Sequence, residues 1–362
     1  MGCSVIFVGD LHGWDHKPRG LVNPRKPADV TWLSQTIDAL NQHTPNGAAL
    51  VQLGDLFHRP AAPPSVVHAM LSSCAHARLR IALPGNHDVA SLDATGFNQS
   101  NLVHTSAYDW LGPNYVARAY APQYAGRSLI AVPFTPAADL RAVIAQAAND
   151  VSETTVPTVL ALHIGVITAD TPAFLRGASD AIALEELCGI AAEHGIEHVF
   201  CGNWHTPRAD TYAGVTVHQL GVFAPFSHAD EGLHYGRLAT ISADSRVRYA
   251  EVPGPRFVTA QRLSLVPAYA LEFGLRVRCR GSVDVCEAFR AELELFGWPD
   301  HIFSVSFEVV PDSAGLIAAA AATSGAASLQ QALSGFCAAR YGADPDLRVV
   351  ADTTADYIRR AG

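Results

Sequence analysis

The sequence predicts a layered α/β or α+β protein rather than an all-β one, with a second, smaller α/β unit toward its C-terminal end. Three observations carry that expectation. Short runs rich in Val, Ile, Leu and Phe alternate with stretches of helical composition through the first two-thirds of the chain. At 362 residues the chain exceeds the usual size of one hydrophobic core. Pro253, Gly254 and Pro255 then break the pattern with a sequence that neither a helix nor a central strand tolerates.

Taken in order, β-type runs fall at residues 4–8, 48–53, 79–83, 128–132, 158–162, 198–201 and 215–220. Between them, residues 28–42, 65–77, 137–148 and 184–194 have the composition and apolar spacing of helices. Residues 237–241 and 246–252 read as a closing hairpin around Ala243 and Asp244, so a first domain is expected over residues 1–252. Beyond the Pro-Gly-Pro break, Glu272 to Arg280 alternates sides as a strand does, through Leu, Arg, Val, Arg, Cys and Arg, residues 283–296 are helix-like, and residues 301–310 form a second β-type run. Residues 253–313 are therefore expected to be a small α/β domain. Residues 315–327 are rich in Ala, which indicates helix propensity or a flexible join, and residues 328–341 and 347–360 read as two helices completing a C-terminal segment over 314–362.

Composition narrows the function classes. With 49% apolar and 16% charged residues the chain is too hydrophobic for intrinsic disorder. Its 34 acidic and 25 basic residues give a formal net charge of −9, which argues against a protein held to nucleic acid by its overall field; such contact has to be local. No run approaches the roughly 18 apolar residues of a membrane span. The seven cysteines are odd in number, scattered and never paired as C-x-x-C, as expected of reduced thiols in a cytosolic protein. The opening MGCSVIFVGD enters a β-type run with no secretory signal in view, in keeping with a cytoplasmic location. Sixteen histidines are many for this length, and imidazole is the commonest side-chain metal ligand.

Acidic, amide and imidazole residues recur just after the β-type runs, where scaffolds present functional groups. In order they are Asp10 and His12 in VGDLHG, Asp55 and His58 in LGDLFH, Asn86, His87 and Asp88 in PGNHD, His163 in LALHIG, and Asn203 and His205 in FCGNWH. One Asp-x-His occurs by chance, but five such phrases in succession do not. A mixed Asp, His and Asn set suits manganese, iron or zinc, and the lack of Cys argues against a structural zinc site. Two ions need a bridging carboxylate, for which Asp55 is the natural choice.

The series D-x-H, G-D, G-N-H-D, an isolated His and G-x-x-H resembles the calcineurin-like metallophosphoesterase superfamily over about residues 4 to 252. The resemblance implies a β-sandwich flanked by helices, two divalent cations with manganese expected, and hydroxide generated at those cations as the nucleophile for phosphoester hydrolysis. It assigns Asp10, His12, Asp55 and His205 to one metal, and Asp55, Asn86, His163 and position 203 to the other. The family usually has Gly-His-x-His in its last motif; here Asn203 replaces the first His, so the second ion is expected to bind more loosely. His87 is assigned to the transition state and to protonation of the leaving oxygen, with Asp88 orienting its imidazole.

Within the superfamily, Gly54-Asp55-Leu56-Phe57-His58, followed by prolines and a helix start at Ser65, is similar to the double-strand-break repair nucleases of SbcD type. That likeness makes His58 a contact to the DNA backbone beside the metals. It also implies a capping domain after VPGPRFVTA, an SMC-like ATPase subunit docked on the C-terminal helices, and a second copy of the chain as a further partner. Arg276, Arg278 and Arg280, which alternate onto one face of a strand, together with Arg256 and Arg262, are the expected DNA-facing cations. The competing readings are a phosphodiesterase for a cyclic nucleotide or nucleotide conjugate, and a non-catalytic scaffold whose second metal position Asn203 has weakened.

Overall fold

The computed structural model describes residues 5–13, 20–25, 30–44, 48–59, 62–76, 79–88, 123–124, 127–149, 158–172, 175–223, 225, 227–233, 235–242, 244–253, 256–267 and 274–310. The helices expected at 328–341 and 347–360, and the Ala-rich join before them, lie outside the described residues.

The fold is an α/β arrangement of several sheets flanked by helices. The first sheet contains β1 (Val5–Val8), β3 (Ala49–Gln52), β4 (Leu79–Ala82), β13 (Tyr235–Ile241) and β14 (Val247–Pro253), in the order β14-β13-β1-β3-β4. Its β1, β3 and β4 are parallel, while β13 runs antiparallel to β1 and β14 antiparallel to β13. The second contains β5 (Gln123–Tyr124), β6 (Arg127–Val132), β7 (Thr158–His163), β10 (His198–Gly202), β11 (Arg208–Tyr212) and β12 (Val215–Gln219), in the order β11-β12-β10-β7-β6-β5. Here β6, β7, β10 and β12 are parallel and the two edge strands antiparallel.

Side-chain alternation explains the layering. In β1, Val5 and Phe7 face one way and Ile6 and Val8 the other, and all four are buried, which is why the run reads as continuously apolar. Val5 and Phe7 join Val51, Leu53, Leu129, Val159 and Phe200 in a core between the two sheets, where the Phe7 and Phe200 rings stack at 3.8 Å. Ile6 and Val8 pack under α1 (Val30–His43) and α2 (Pro64–His76), through Ile37, Leu40, Val66 and Met70. The outer face of the second sheet is covered in the same way by α3 (Ala137–Asn149) and α4 (Leu184–Glu193), through Leu140, Ile144, Leu187 and Ile190.

Six strands are absent from the sequence reading: β2 (Leu21–Val22), β5, β8 (Gly165–Ile167), β9 (Ala181–Ala183), β11 and β15 (Arg256–Ala260). Runs of two or three residues are too short to show a period, and β11 carries polar residues whose extended state is set by pairing with β12. A further sheet has the order β15-β16-β17-β2, with β16 at Leu275–Gly281 and β17 at Ile302–Val309, and β8 pairs with β9 alone. The chain divides into two compact units, Met1–Val258 with Ala268–Val277 and Pro299–Ser306, and Thr259–Pro267 with Arg278–Trp298 and Phe307–Gly362. The second contains α5 (Val283–Phe296), whose first turn is capped by the Ser282 hydroxyl accepting from the Val285 amide. Among the described residues, no helix is long and apolar enough to cross a membrane, and Cys188, Cys201, Cys279 and Cys286 are free thiols.

Candidate metal centre

Parallel strands bring their C-terminal ends to one edge, and the five phrases follow those ends. Asp10 and His12 come after β1, Asp55 after β3, the Asn86–Asp88 turn after β4, His163 closes β7, and Asn203 and His205 come after β10. Asp10, His12, Asp55, Asp88 and His163 are buried. Five non-glycine residues among those described have positive φ, and three of them are His12 (45°), Asp55 (52°) and Asn203 (83°). Left-handed backbone costs about 1–3 kcal/mol per residue and persists where surrounding contacts over-determine it. Glycine supplies close approach at two points: a Cβ on Gly54 would overlap the His163 ring, and one on Gly85 would overlap the Asp55 carboxylate.

Asp55 stands between two donor groups. Its Oδ2 lies 3.6 Å from His12 Nε2, which is 3.2 Å from His205 Nε2; Asp10 joins these two histidines with ligand atoms all within 4.8 Å of one another. Its Oδ1 lies 3.4 Å from His163 Nε2, which is 3.0 Å from Asn86 Oδ1. The distal nitrogens are anchored: His163 Nδ1 lies 2.7 Å from the Leu53 carbonyl, and His205 Nδ1 lies 2.5 Å from Asp230 Oδ1. Anchors of this kind fix the tautomer and turn Nε2 inward.

Electrostatics follow from this crowding. Burial raises the Asp10 carboxyl to about 7 against the pull of His163. For Asp55, burial pushes the same way and is the largest single influence, but the charge and hydrogen bond of His163 together with the His12 and His87 charges outweigh it and hold the carboxyl below the usual range. His163 is the counterpart: burial would lower it, yet the Asp55 charge and hydrogen bond raise it to about 9. Burial takes His12 down to about 3. Burial would lower His205, but the hydrogen bond and charge of Asp230 together with the Asp10 and Asp55 charges raise it.

The sequence profile described as calcineurin-like phosphoesterase matches residues 3–207, more than half of the chain. The chain belongs to that family. No curated protein matches it significantly. Among solved structures, this calcineurin-like phosphoesterase is similar to the Thermus thermophilus protein TT1561, at 12% identity and a TM-score of 0.44, over 69% of this chain and 99% of that one. It is also similar to the purple acid phosphatase PPD1 from yellow lupin seeds, at 11% identity and a TM-score of 0.48, over 69% of this chain and 52% of that one. A putative 5'-nucleotidase from Staphylococcus aureus gives 12% identity and a TM-score of 0.45, over 70% of this chain and 54% of that one.

The donor set of this phosphoesterase fits a binuclear metal site. The Asn86 amide oxygen lies 3.0 Å from His163 Nε2 and 3.3 Å from both Asp55 oxygens, so oxygen lone pairs of two side chains face one another. A cation resolves that opposition, as the reversed amide would with its N–H donors. Asp10, His12, Asp55 and His205 would hold one ion, and Asp55, Asn86 and His163 the other. Cations there would lower the pKa of a coordinated water and neutralise a phosphate.

Two expected roles are placed differently. The Asp88 carboxylate accepts from the backbone amides of Leu56 (3.2 Å), Phe57 (3.1 Å) and Gly85 (2.8 Å), tying the Asp55 loop to the turn after β4. The contact that orients the His87 ring comes instead from the His58 carbonyl, 3.0 Å from His87 Nδ1. His58 itself is at the centre: its ring stacks on His87 at 5.2 Å and meets His12 edge-on at 5.5 Å. Asn203 lies beside Asp10 through its backbone, while its amide nitrogen is engaged with Asp180. Asp230, which sequence reasoning missed, stands 25 residues from His205; the available signal was a capping phrase, Ser227 with Asp230 three residues on.

The arginines do not form one free basic face. Arg276 is buried between the Phe257 and Phe303 rings, 5.8 and 5.3 Å from their centroids. Arg278 and Arg280 both pair with Glu308, at 3.3 and 3.2 Å. Arg256 opens β15, partly buried, and Arg262 is exposed beyond it.

Proposed function

We propose that this protein is a cytoplasmic, metal-dependent phosphodiesterase acting on DNA, of the kind that works as a nuclease subunit with an SMC-like ATPase. The observation that carries the hydrolytic reading is Asp55, with one oxygen toward His12 and the other toward His163. The DNA reading is supported by His58, which follows Gly-Asp-Leu-Phe and stacks beside His87 at the edge of the same centre.

The chain's own groups divide the work. In its imidazolium form His87 would donate from Nδ1 to the His58 carbonyl and pass its Nε2 proton to the leaving oxygen, ending as the Nδ1–H neutral ring. His58 offers a second imidazole to a non-bridging phosphate oxygen. Asp88 holds the loop that positions both Asp55 and His58.

A second reading, hydrolysis of a cyclic nucleotide or nucleotide conjugate, is favoured by the arginines: Arg276 is core, and Glu308 offsets Arg278 and Arg280. Labelled linear duplex DNA, single-stranded DNA and cyclic nucleotides, each with manganese, separate the two. DNA cleavage is the expected result, and turnover of cyclic nucleotides without DNA cleavage overturns the DNA reading. One bound ion per chain at saturating manganese with no activity would support a scaffold instead. His87→Ala is expected to lower cleavage by about 10²–10⁴ with metal content retained; loss of metal would reassign His87 as a ligand.

A further inference from the structure

Trp204 stands between Asn203, whose backbone N–H reaches Asp10 at 3.1 Å, and His205, which lies beside His12. Its main chain is fixed on both sides. The Trp204 carbonyl accepts from the buried Gln219 side-chain amide at 3.2 Å, and the His205 carbonyl accepts from the Val222 N–H at 3.0 Å. The side chain crosses from the end of β10 to Gly165, which opens β8 just beyond His163. A Cβ on Gly165 would fall against Cε2 and Nε1 of the indole, with Cδ2 at 2.8 Å and barely farther than Cε2. An edge-on approach would leave Cδ2 behind Cε2 by a full bond length, so it is a ring face that covers Gly165. Only glycine admits this contact. Gly165 is itself held, since its N–H donates to the Asp180 carbonyl at 2.9 Å, the same carbonyl that accepts from Asn203 Nδ2.

The indole is thus backed by main chain on one face and anchored at its root. A buried tryptophan ordinarily finds a partner for its N–H. Trp204 is instead partly exposed at the rim of the metal centre, and among the described residues no second ring stacks on it and no hydrogen bond uses Nε1. We infer that the indole face turned away from Gly165 is a stacking platform for the nucleobase that adjoins the scissile phosphate, so that the substrate is a nucleotide phosphodiester with an unpaired base. Every base has a π face, so an aromatic platform beside a phosphate site selects nucleotides over other phosphodiesters with little preference among bases. In a duplex those faces are already stacked on neighbouring bases, and a free strand or frayed end meets the platform more readily. The inference rests on the phosphodiesterase reading above and deepens it.

The test is cleavage kinetics with manganese on the full chain and on Trp204→Leu, Trp204→Phe and Gly165→Ala. The substrates are an oligothymidylate, a strand of the same length with tetrahydrofuran abasic sites in place of its bases, the oligothymidylate annealed to its complement, and a cyclic nucleotide. The wild type is expected to favour the base-bearing free strand over the abasic one by about 10-fold in kcat/KM, carried by KM because the base is remote from the reacting bond. Trp204→Leu should bring that ratio to about 1, and Gly165→Ala, whose methyl displaces the indole, should lower it nearly as far. Trp204→Phe keeps a π face and should retain at least about a third of the ratio. Manganese is counted in every variant; if Trp204→Leu has shed it, Trp204→Phe and Gly165→Ala decide. The inference is overturned by a wild type indifferent to the bases, by an annealed duplex cut as well as the free strand, or by a ratio that Trp204→Leu leaves intact. A ratio lost equally in Trp204→Phe overturns it too, because packing and not the π face then sets the preference. Turnover of the cyclic nucleotide with no strand cleavage overturns the DNA reading alone: Trp204→Leu should then raise the KM of the cyclic nucleotide about 10-fold, and an unchanged KM overturns the inference. A wild type that cleaves none of these substrates overturns the phosphodiesterase reading and the inference with it.

Discussion

Two groups of buried and partly buried imidazoles lie at opposite ends of the same strand and have opposite characters. At the C-terminal end of β10, His205 joins His12 and His163 around Asp10 and Asp55. At its first residue, His198 Nδ1 lies 3.1 Å from His218 Nε2, and His218 Nδ1 lies 2.5 Å from the Tyr249 hydroxyl. Phe200 stacks on His218 at 4.7 Å, and Arg237 lies over the Tyr249 ring. Among the described residues, no carboxylate hydrogen-bonds to this second group. Its imidazoles satisfy each other and tie β12 of one sheet to β14 of the other, so burial keeps them neutral: His218 is pushed down to about 4 and His198 is lowered. The first group converges with the Asp10 and Asp55 carboxylates and the Asn86 amide, a donor set that a cation would complete. Histidine burial is therefore no mark of a metal centre; convergence with carboxylates on left-handed backbone is.

The largest effect expected from breaking this contrast is that of Asp55→Ala, which removes the carboxylate shared by both donor groups. Loss of both manganese ions and of phosphodiesterase activity by at least about 10³ is expected, and one tightly retained ion would refute a bridging role. Next comes Asp230→Asn, which weakens the anchor of His205. Manganese affinity should fall about 10–100-fold while the fold persists by circular dichroism; an unchanged titration would make Asp230 a capping residue alone.

The smallest effect on turnover is expected at the other end. His218→Phe should leave activity within about twofold and lower stability by about 1–3 kcal/mol, since His198 and Tyr249 lose their partner. Its pH signature has a definite sign. The folded pKa of His218 lies near 4, below the unfolded value of about 6.5, so the unfolded chain binds the extra proton first. Wild-type stability should thus be present above pH 6.5 and decline as pH falls toward 4. Thermal melting across that window should show a shallower decline in His218→Phe. A variant that kept its melting profile and lost activity would erase the distinction between the two groups.

Much of the scaffold was legible. Buried strands such as β1 and β7 announce themselves by apolar runs, and α5 by its helix-like composition, because these signals are local. Short or polar strands such as β2 and β11 were not, since their extended state comes from a partner strand. Arg276 shows the same limit: alternation put it with Arg278 and Arg280, but Phe257 and Phe303 stack against it in the core.

The sequence by itself determined the family, the layered α/β class and the types of group at the strand ends, because periodicity and motif spacing are properties of neighbouring residues. Only the tertiary structure decided which groups meet. It gave Asp55 one oxygen for each side, brought Asp230 to His205, gave Asp88 to the backbone of a loop 31 residues away, and turned Asn203 to Asp180. The physical reason is that a side chain's role depends on the partners that packing brings within hydrogen-bonding reach, and those partners are distant in the chain.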